Sequence, residues 1–224
     1  MSLRPYLELI RLPAVFTAPS DVLAGLALAT LAGGRFGAVD AALLVAASVA
    51  IYCAGMAAND IFDARTDARE RPARPIPSGR VSLGAAWTLV LGLQALGLGL
   101  ALCVRPLAVL AVAVTVAATY LYNAALKGTS VGPWAMGACR YGNALIGLAA
   151  GGWSTAWVAW VAPLGTLVYT AGVTRVSRHE VEGATRERLR GPFGHLALSA
   201  CAPAAWPLIG ALPVAWAAAL PLAT

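Results

Sequence analysis

Three aspartates, Asp60, Asp63 and Asp67, stand at the edge of an oily run: Ala41 to Ala58 carries no charge, and Asn59 follows it. Spaced i, i+3 and i+7, the carboxylates fall on one face of a helix. Like charges stacked in this way repel, so the stretch needs a counter-charge, and a hard cation supplies one. Mg2+ prefers oxygen ligands, keeps its waters, and is usually held by one or two carboxylates together with substrate phosphates. Asn59 adds a neutral amide at the same edge. The following stretch RPARPIPSG, residues 71–79, suits a phosphate partner. Arg71 and Arg74 carry planar forks that match phosphate oxygens. Pro72, Pro75 and Pro77 stop the helix and stiffen the loop, and Ser78-Gly79 reads as a turn. A solvated mixed-charge loop is the plain alternative. The three-carboxylate face, its place beside an apolar run and the Arg-Pro repeat weigh against it together.

The elements that must hold these groups are set by composition. The chain has 224 residues, of which 59% are hydrophobic and only 12% charged. A soluble domain carries about 25% charged residues, so lipid is the expected solvent. About twenty apolar residues span a bilayer as a helix. Val81–Val104 and Pro106–Leu126 are each of that length, broken by no acidic residue, and Tyr141–Thr174 and Gly191–Thr224 are longer apolar stretches. The runs do not alternate as a β-barrel requires. The expected fold is all-α, a polytopic membrane helical bundle of about seven or eight spans. Helices are expected near residues 14–33, 41–59, 83–104, 106–125, 133–151, 157–174 and 193–210, with a short segment over 213–224. No Ser/Gly/Pro-rich linker divides the chain, so residues 1–224 read as one domain. The opening MSLRPYLELIRLP is interrupted by Glu8 and Arg11 and does not read as a cleaved signal peptide. Cys53, Cys103, Cys139 and Cys201 lie scattered in apolar runs and read as small hydrophobes.

Charge then orients the bundle. Alternate loops collect Arg4 and Arg11; Arg65, Arg69, Arg71, Arg74 and Arg80; Lys127; and Arg175, Arg178, Arg186, Arg188 and Arg190. The other side holds Arg35 and Arg105. Positive loops stay cytoplasmic, so the N-terminus and the acidic stretch are expected inside, at a cell (inner) membrane. Topology accounts for the net charge of +6, and no element for binding nucleic acid is visible.

The pattern N-D-x-x-D-x-x-x-D followed by R-P-x-R-P-x-x-x-G-x-x-S, here Asn59 to Ser82, resembles the first signature of the UbiA superfamily of intramembrane prenyltransferases. Tyr122 and Lys127 resemble that family's Y-x-x-x-x-K element. The resemblance covers about residues 5–210, and the stretches around 17–25 and 132–143 are similar to a divergent, ebo-cluster branch. It implies Mg2+ on Asp60, Asp63 and Asp67, holding the diphosphate of an isoprenyl donor. It further implies Lys127, with Asn59, Arg71, Arg74 and Tyr122, at the departing diphosphate, and a lipophilic acceptor attacking the allylic carbocation. Metal and cations stabilise such a leaving group, and a dry cavity protects the cation. Aromatic faces stabilise it too, and Tyr52, Tyr120, Tyr122, Tyr141 and Tyr169 lie on helices expected to line the cavity.

The chain departs from the family pattern in two places. The usual second D-x-x-x-D is replaced by Thr174–Arg190, whose nearest acids are Glu180 and Glu182. They stand either as a second metal position or as ordinary loop charge, and Arg175 and Arg178 either face the diphosphate or serve orientation. The family has nine helices, more than this chain accommodates, so the lateral opening is wider or an oligomer closes it. Asp21 and Arg140 with Asn143 are polar groups at membrane depth, where ionisable residues face a cavity or a partner. An Asp21–Arg140 pair and a contact of Asp21 or Asn143 with the acceptor both fit. Two functions compete: Mg2+-dependent isoprenyl transfer, and a non-catalytic lipid-binding or transport protein of the same fold. The motif of a CDP-alcohol phosphotransferase is absent.

Overall fold

The computed structural model describes residues 3–154 and 156–182 together with Gly194; the side chains of residues 178–182 lie outside the description. The chain forms helices α1 (Arg4–Leu9), α2 (Thr17–Leu31), α3 (Ala38–Phe62), α4 (Ala64–Glu70), α5 (Leu83–Leu102), α6 (Pro106–Leu121), α7 (Gly132–Leu148), α8 (Trp157–Val161) and α9 (Leu164–Glu182). No strand occurs among the described residues. The two segments expected beyond residue 193 fall outside them, apart from Gly194.

Five stretches are long and apolar enough to cross a membrane: Leu12–Leu31, Ala38–Phe62, Leu83–Leu102, Pro106–Leu126 and Trp157–Ser177. With 25 residues, α3 is roughly 37 Å long at 1.5 Å per residue, more than the roughly 30 Å hydrocarbon core. It therefore carries the chain from Arg35 at one face to Asp63 at the other. Leu91, Leu96, Leu110 and Val114 on α5 and α6 point outward, as lipid-facing residues do.

Helix α7 is the exception to hydropathy. It carries Arg140 and Asn143 and yet lies at the centre of the bundle, packed against α2, α6 and α9. Because neighbouring helices shield it, it needs no apolar outer face. Small residues permit that position. A Cβ on Gly147 would lie 2.1 Å from the Val22 carbonyl oxygen, and one on Gly25 would lie 2.0 Å from that of Ala144. The two backbones of α2 and α7 thus touch, the small-residue contact common between membrane helices. Around this crossing Val22, Leu26, Leu44, Ile51, Val112 and Ile146 form the main core.

Two boundaries differ from the sequence-based expectation. The span expected over 157–174 is two helices, broken at Ala162-Pro163 where the proline cannot continue the ladder. The stretch expected as a loop from residue 175 is helical as far as Glu182. Past α6, residues Tyr122–Leu126 form a π-helix.

Candidate functional site

Helix α3 delivers Asn59 and Asp60 to the membrane edge, and Asp63 is at once its last cap and the first cap of α4, with φ −82° and ψ −6°. Arg71 precedes Pro72, which pushes it out of the helical region to φ −142°, and α4 ends there. The chain then coils back over its own carboxylates. Gly79 provides the positive φ of 73° that the turn needs. The Ser78 hydroxyl donates to the Arg74 carbonyl at 2.6 Å, and Arg80 Nη2 donates to the Ala73 carbonyl at 2.7 Å. Ser82 caps α5 by accepting from the Ala85 N–H. This folded loop fixes Arg74 above α3 and α4.

Arg74 Nη1 donates to Asp67 Oδ2 at 2.6 Å and to Asp60 Oδ1 at 3.2 Å. Both aspartates are buried, Asp60 to 5% and Asp67 to 3% exposure. Arg11 Nη2 also reaches Asp60 Oδ1, at 3.3 Å. It comes from the turn between α1 and α2, where Arg11 holds a left-handed backbone at φ 50°, a conformation uncommon outside glycine. Asp63 meets a different cation, the ammonium of Lys127, which also donates to Asn59 Oδ1 at 2.8 Å. Asn59 Nδ2 in turn donates to Asp63 Oδ2 at 3.2 Å.

This corrects the expectation of three carboxylates on one helical face. The helix is interrupted at Asp63, so Asp60 and Asp67 turn to Arg74 while Asp63 turns to Lys127. Three carboxylates face three cations, Arg11, Arg74 and Lys127, and the set is neutral as it stands. Carboxylate and amide oxygens are the donors a hard cation takes, so Asp60, Asp63, Asp67 and Asn59 fit Mg2+. Among the described residues, no three of His, Cys, Asp and Glu are grouped to hold a metal; side-chain cations hold these carboxylates instead.

The π-helix explains the Tyr-to-Lys spacing. Residues five apart on an α-helix are roughly 140° out of line. The i-to-i+5 bond from the Lys127 N–H to the Tyr122 carbonyl, 2.8 Å, winds the segment so that both residues serve one site. Tyr122 is buried and lines a cavity of about 100 Å³ with Ile51, Tyr52, Met56, Asn59 and Met136. Asn59 thus joins the charged cluster to the intramembrane cavity. On the other side of Asp60, a recess of about 320 Å³ is lined by Arg11, Arg71, Arg74, Arg80 and Glu8. The Arg80 guanidinium beside Glu8 holds that carboxyl below the usual carboxylate range.

Of the remaining residues named from sequence, Asn143 reaches the cavity wall, but its carboxamide is engaged. It donates to the Ala18 carbonyl and to Asp21 Oδ2, and accepts from Ser48 Oγ at 2.6 Å. Asp21 makes the expected pair with Arg140, a two-point contact of 3.0 Å each. Arg175 lies over the Trp134 ring, 5.2 Å from its centroid. The side chains of Arg178, Glu180 and Glu182 lie outside the described residues. Among the tyrosines, Tyr52 and Tyr122 line the cavity. Tyr120 instead stacks on Trp87 and shares hydrogen bonds with Gln94, Tyr141 donates to the Trp160 carbonyl, and Tyr169 is exposed. Helix rotation decides this, and tyrosine content alone does not reveal it. Sequence reasoning gave Arg11 no role at the carboxylates and passed over Asn123. Arg11 lies 49 residues from Asp60 and carried no local signal; Asn123 follows the motif tyrosine.

Solved structures share this architecture. A structure of digeranylgeranylglyceryl phosphate synthase superposes with a TM-score of 0.75 at 23% identity, covering 94% of this chain and 79% of that one. A UbiA homologue from Archaeoglobus fulgidus bound to GPP and Mg2+ gives 0.67 at 17% identity, covering 97% and 86%. Among curated relatives, the digeranylgeranylglyceryl phosphate synthase of Methanopyrus kandleri is 41% identical over 128 residues, 57% of this chain and 45% of its own length. That of Ignicoccus hospitalis is 40% identical over 129 residues, 58% and 41% respectively. The alignments thus span about half the length of the curated relatives. A family profile match across residues 21–224 completes what the shared fold and the intramembrane site had narrowed: this integral membrane protein belongs to the UbiA prenyltransferase family.

Proposed function

We propose that the chain transfers an isoprenyl group from a polyprenyl diphosphate to a lipophilic acceptor inside the membrane, with the site opening to the cytoplasm of a cell (inner) membrane. The observation that carries this reading is the interlocked set of Asp60, Asp63, Asp67, Arg11, Arg74 and Lys127 at the mouth of an apolar cavity, with Asn59 common to both. Mg2+ held by the three aspartates would offset the charge of the diphosphate. Arg11, Arg74 and Lys127, then released from the carboxylates, present their N–H groups to phosphate oxygens and stabilise charge on the leaving group. Tyr52 and Tyr122 offer ring faces to the allylic cation, and Ile51, Met56 and Met136 exclude water from it. Arg71, in the basic recess, adds a further phosphate contact. In the same reading Glu180 and Glu182, near the end of α9, would supply a second Mg2+ position, and Arg175 and Arg178 further cations for the diphosphate.

The test is single-turnover release of diphosphate by purified protein in lipid. Farnesyl or geranylgeranyl diphosphate serves as donor and a cell lipid extract as acceptor, with and without Mg2+. Release in Mg2+ is expected, and Lys127→Gln should slow it about a hundredfold or more, as loss of a transition-state donor does. No release from the wild type with several donors would favour the non-catalytic, lipid-binding reading.

A further inference from the structure

One charged group beside the carboxylates has no part in the donor reading: Glu8, on the short helix α1. The segment that carries it is fixed in place. Leu9, the next residue, is fully buried in a cluster with Ala57, Ala58, Ile61 and Val81. Ala57, Ala58 and Ile61 belong to the last turns of α3, which also present Asn59 and Asp60, so α1 keeps register with the carboxylates. Glu8 Oε2 accepts from Arg80 Nη1 at 2.7 Å. The other nitrogens of that guanidinium are engaged too: Nε donates to Ser78 Oγ at 3.1 Å and Nη2 to the Ala73 carbonyl at 2.7 Å. These two residues bracket Arg74. Ala73 precedes it, and the Ser78 hydroxyl donates to its carbonyl at 2.6 Å. A continuous set of hydrogen bonds thus runs from an anchor packed on α3 to the backbone of the arginine that holds Asp60 and Asp67. A pair between half-exposed groups is by itself worth little. Here the planar fork is used in full, and a guanidinium bound on all sides keeps one orientation.

We propose that Glu8 is a positioning residue: through Arg80 it holds Arg74 where the guanidinium, once released from its aspartates, meets the departing diphosphate. This rests on the isoprenyl-transfer reading, in which Glu8 touches no substrate. The step it serves is ionisation of the donor. The allylic C–O bond breaks, and its electron pair leaves on the diphosphate oxygen, where negative charge grows. A guanidinium already in place needs no reorganisation as that charge develops. Without the Glu8 carboxylate, the loop over residues 71–80 keeps its own turn but loses its tie to α1, and Arg74 is no longer held in register with Asp60. The loss falls on rate rather than on donor binding. Arg11, Lys127 and the metal still hold the ground-state diphosphate, whereas the contribution of Arg74 is largest in the transition state.

The experiment uses the full chain in lipid with Mg2+, geranylgeranyl diphosphate and a total cell lipid extract. Single-turnover diphosphate release at saturating donor is compared for wild type, Glu8→Gln, Glu8→Asp, Arg80→Lys and Arg4→Gln. Donor affinity is measured separately with a non-hydrolysable thiodiphosphate analogue, and thermal unfolding shows which variants are folded at the assay temperature. Glu8→Gln should slow release about tenfold, between the worth of an exposed ion pair and the hundredfold cost of misplacing a group by about 1 Å, with analogue affinity unchanged. Arg80→Lys keeps the charge but cannot serve every partner of the fork; it should fall as far, and it carries the same test should Glu8→Gln not fold. Glu8→Asp should recover part of the rate. Arg4 also pairs with Glu8, at 3.2 Å, but lies on α1 itself, so Arg4→Gln should match the wild type. The deciding readout is coupling: Glu8→Gln added to Arg74→Gln should slow release no further, whereas a purely structural loss would multiply the two effects. A folded Glu8→Gln as fast as the wild type, a loss that multiplies with Arg74→Gln, or a fall accounted for by weaker analogue binding overturns the role of Glu8 and leaves isoprenyl chemistry in place. Absence of release from the wild type with every donor instead overturns the functional reading, and this role with it.

Discussion

Arg74 offers the sharpest test of how the site is balanced. Its Nη1 holds Asp67 at 2.6 Å and Asp60 at 3.2 Å. In Arg74→Gln, Asp60 retains only the longer contact to Arg11, and Asp67 keeps none of its ion pairs among the described residues. Removing one partner of a buried pair costs about 3–5 kcal/mol. The Arg74 side chain keeps 23% of its exposure, so the lower figure, about 3 kcal/mol, applies. For a chain of this length that is a fall in melting temperature of roughly 6–12 °C. A divalent cation should reverse it. With only the longer Arg11 contact to Asp60 left to displace, Mg2+ at a hundred times its dissociation constant returns about 2.7 kcal/mol. The assay is thermal unfolding in detergent, with chelator and then across a Mg2+ series, beside Arg71→Gln as a control, because Arg71 is exposed and makes no ion pair among the described residues. Arg74→Gln melting with the wild type in chelator would refute the reasoning. So would Mg2+ raising both proteins equally, since the carboxylates would then not be exchanging one counter-charge for another.

Helix crossing and topology give two further tests. Gly147→Ala places a Cβ 2.1 Å from the Val22 carbonyl oxygen and should forfeit most of the stability of the α2–α7 contact, whereas Gly84→Ala, with open space around it, should gain up to about 1 kcal/mol; thermal unfolding of both variants in detergent decides it. Cysteines at Ser78 and Arg35, at the two ends of the bundle, should label differently in intact cells, Arg35→Cys from outside and Ser78→Cys only after permeabilisation, and strong outside labelling at residue 78 would reverse the orientation.

Much of this molecule is legible in its residues because lipid is an unforgiving solvent. Every backbone polar group within it must be paired inside a helix, so long apolar runs over 12–31, 38–62, 83–102 and 106–126 had one structural outcome. The acidic and arginine-rich stretch was legible for a related reason: charge next to an apolar run requires a partner, and Asp60, Asp63, Asp67, Arg74 and Lys127 do cluster. Contacts distant in sequence were beyond reading. That Asp63 parts from its neighbours depends on a helix break and on a lysine 64 residues away. That Arg11 joins Asp60 depends on a left-handed turn. That Tyr120 faces Trp87 while Tyr122 faces the cavity depends on the rotation of α6 and the π-turn that follows it. Helix α7, with an arginine in its middle, is central because three other helices cover it and because Gly25 and Gly147 let two backbones touch. Hydropathy measures each residue against the solvent, and it determined which segments enter the membrane. Which side chains then meet is settled by packing between helices, where a single methyl group or one extra residue per turn redirects a whole face.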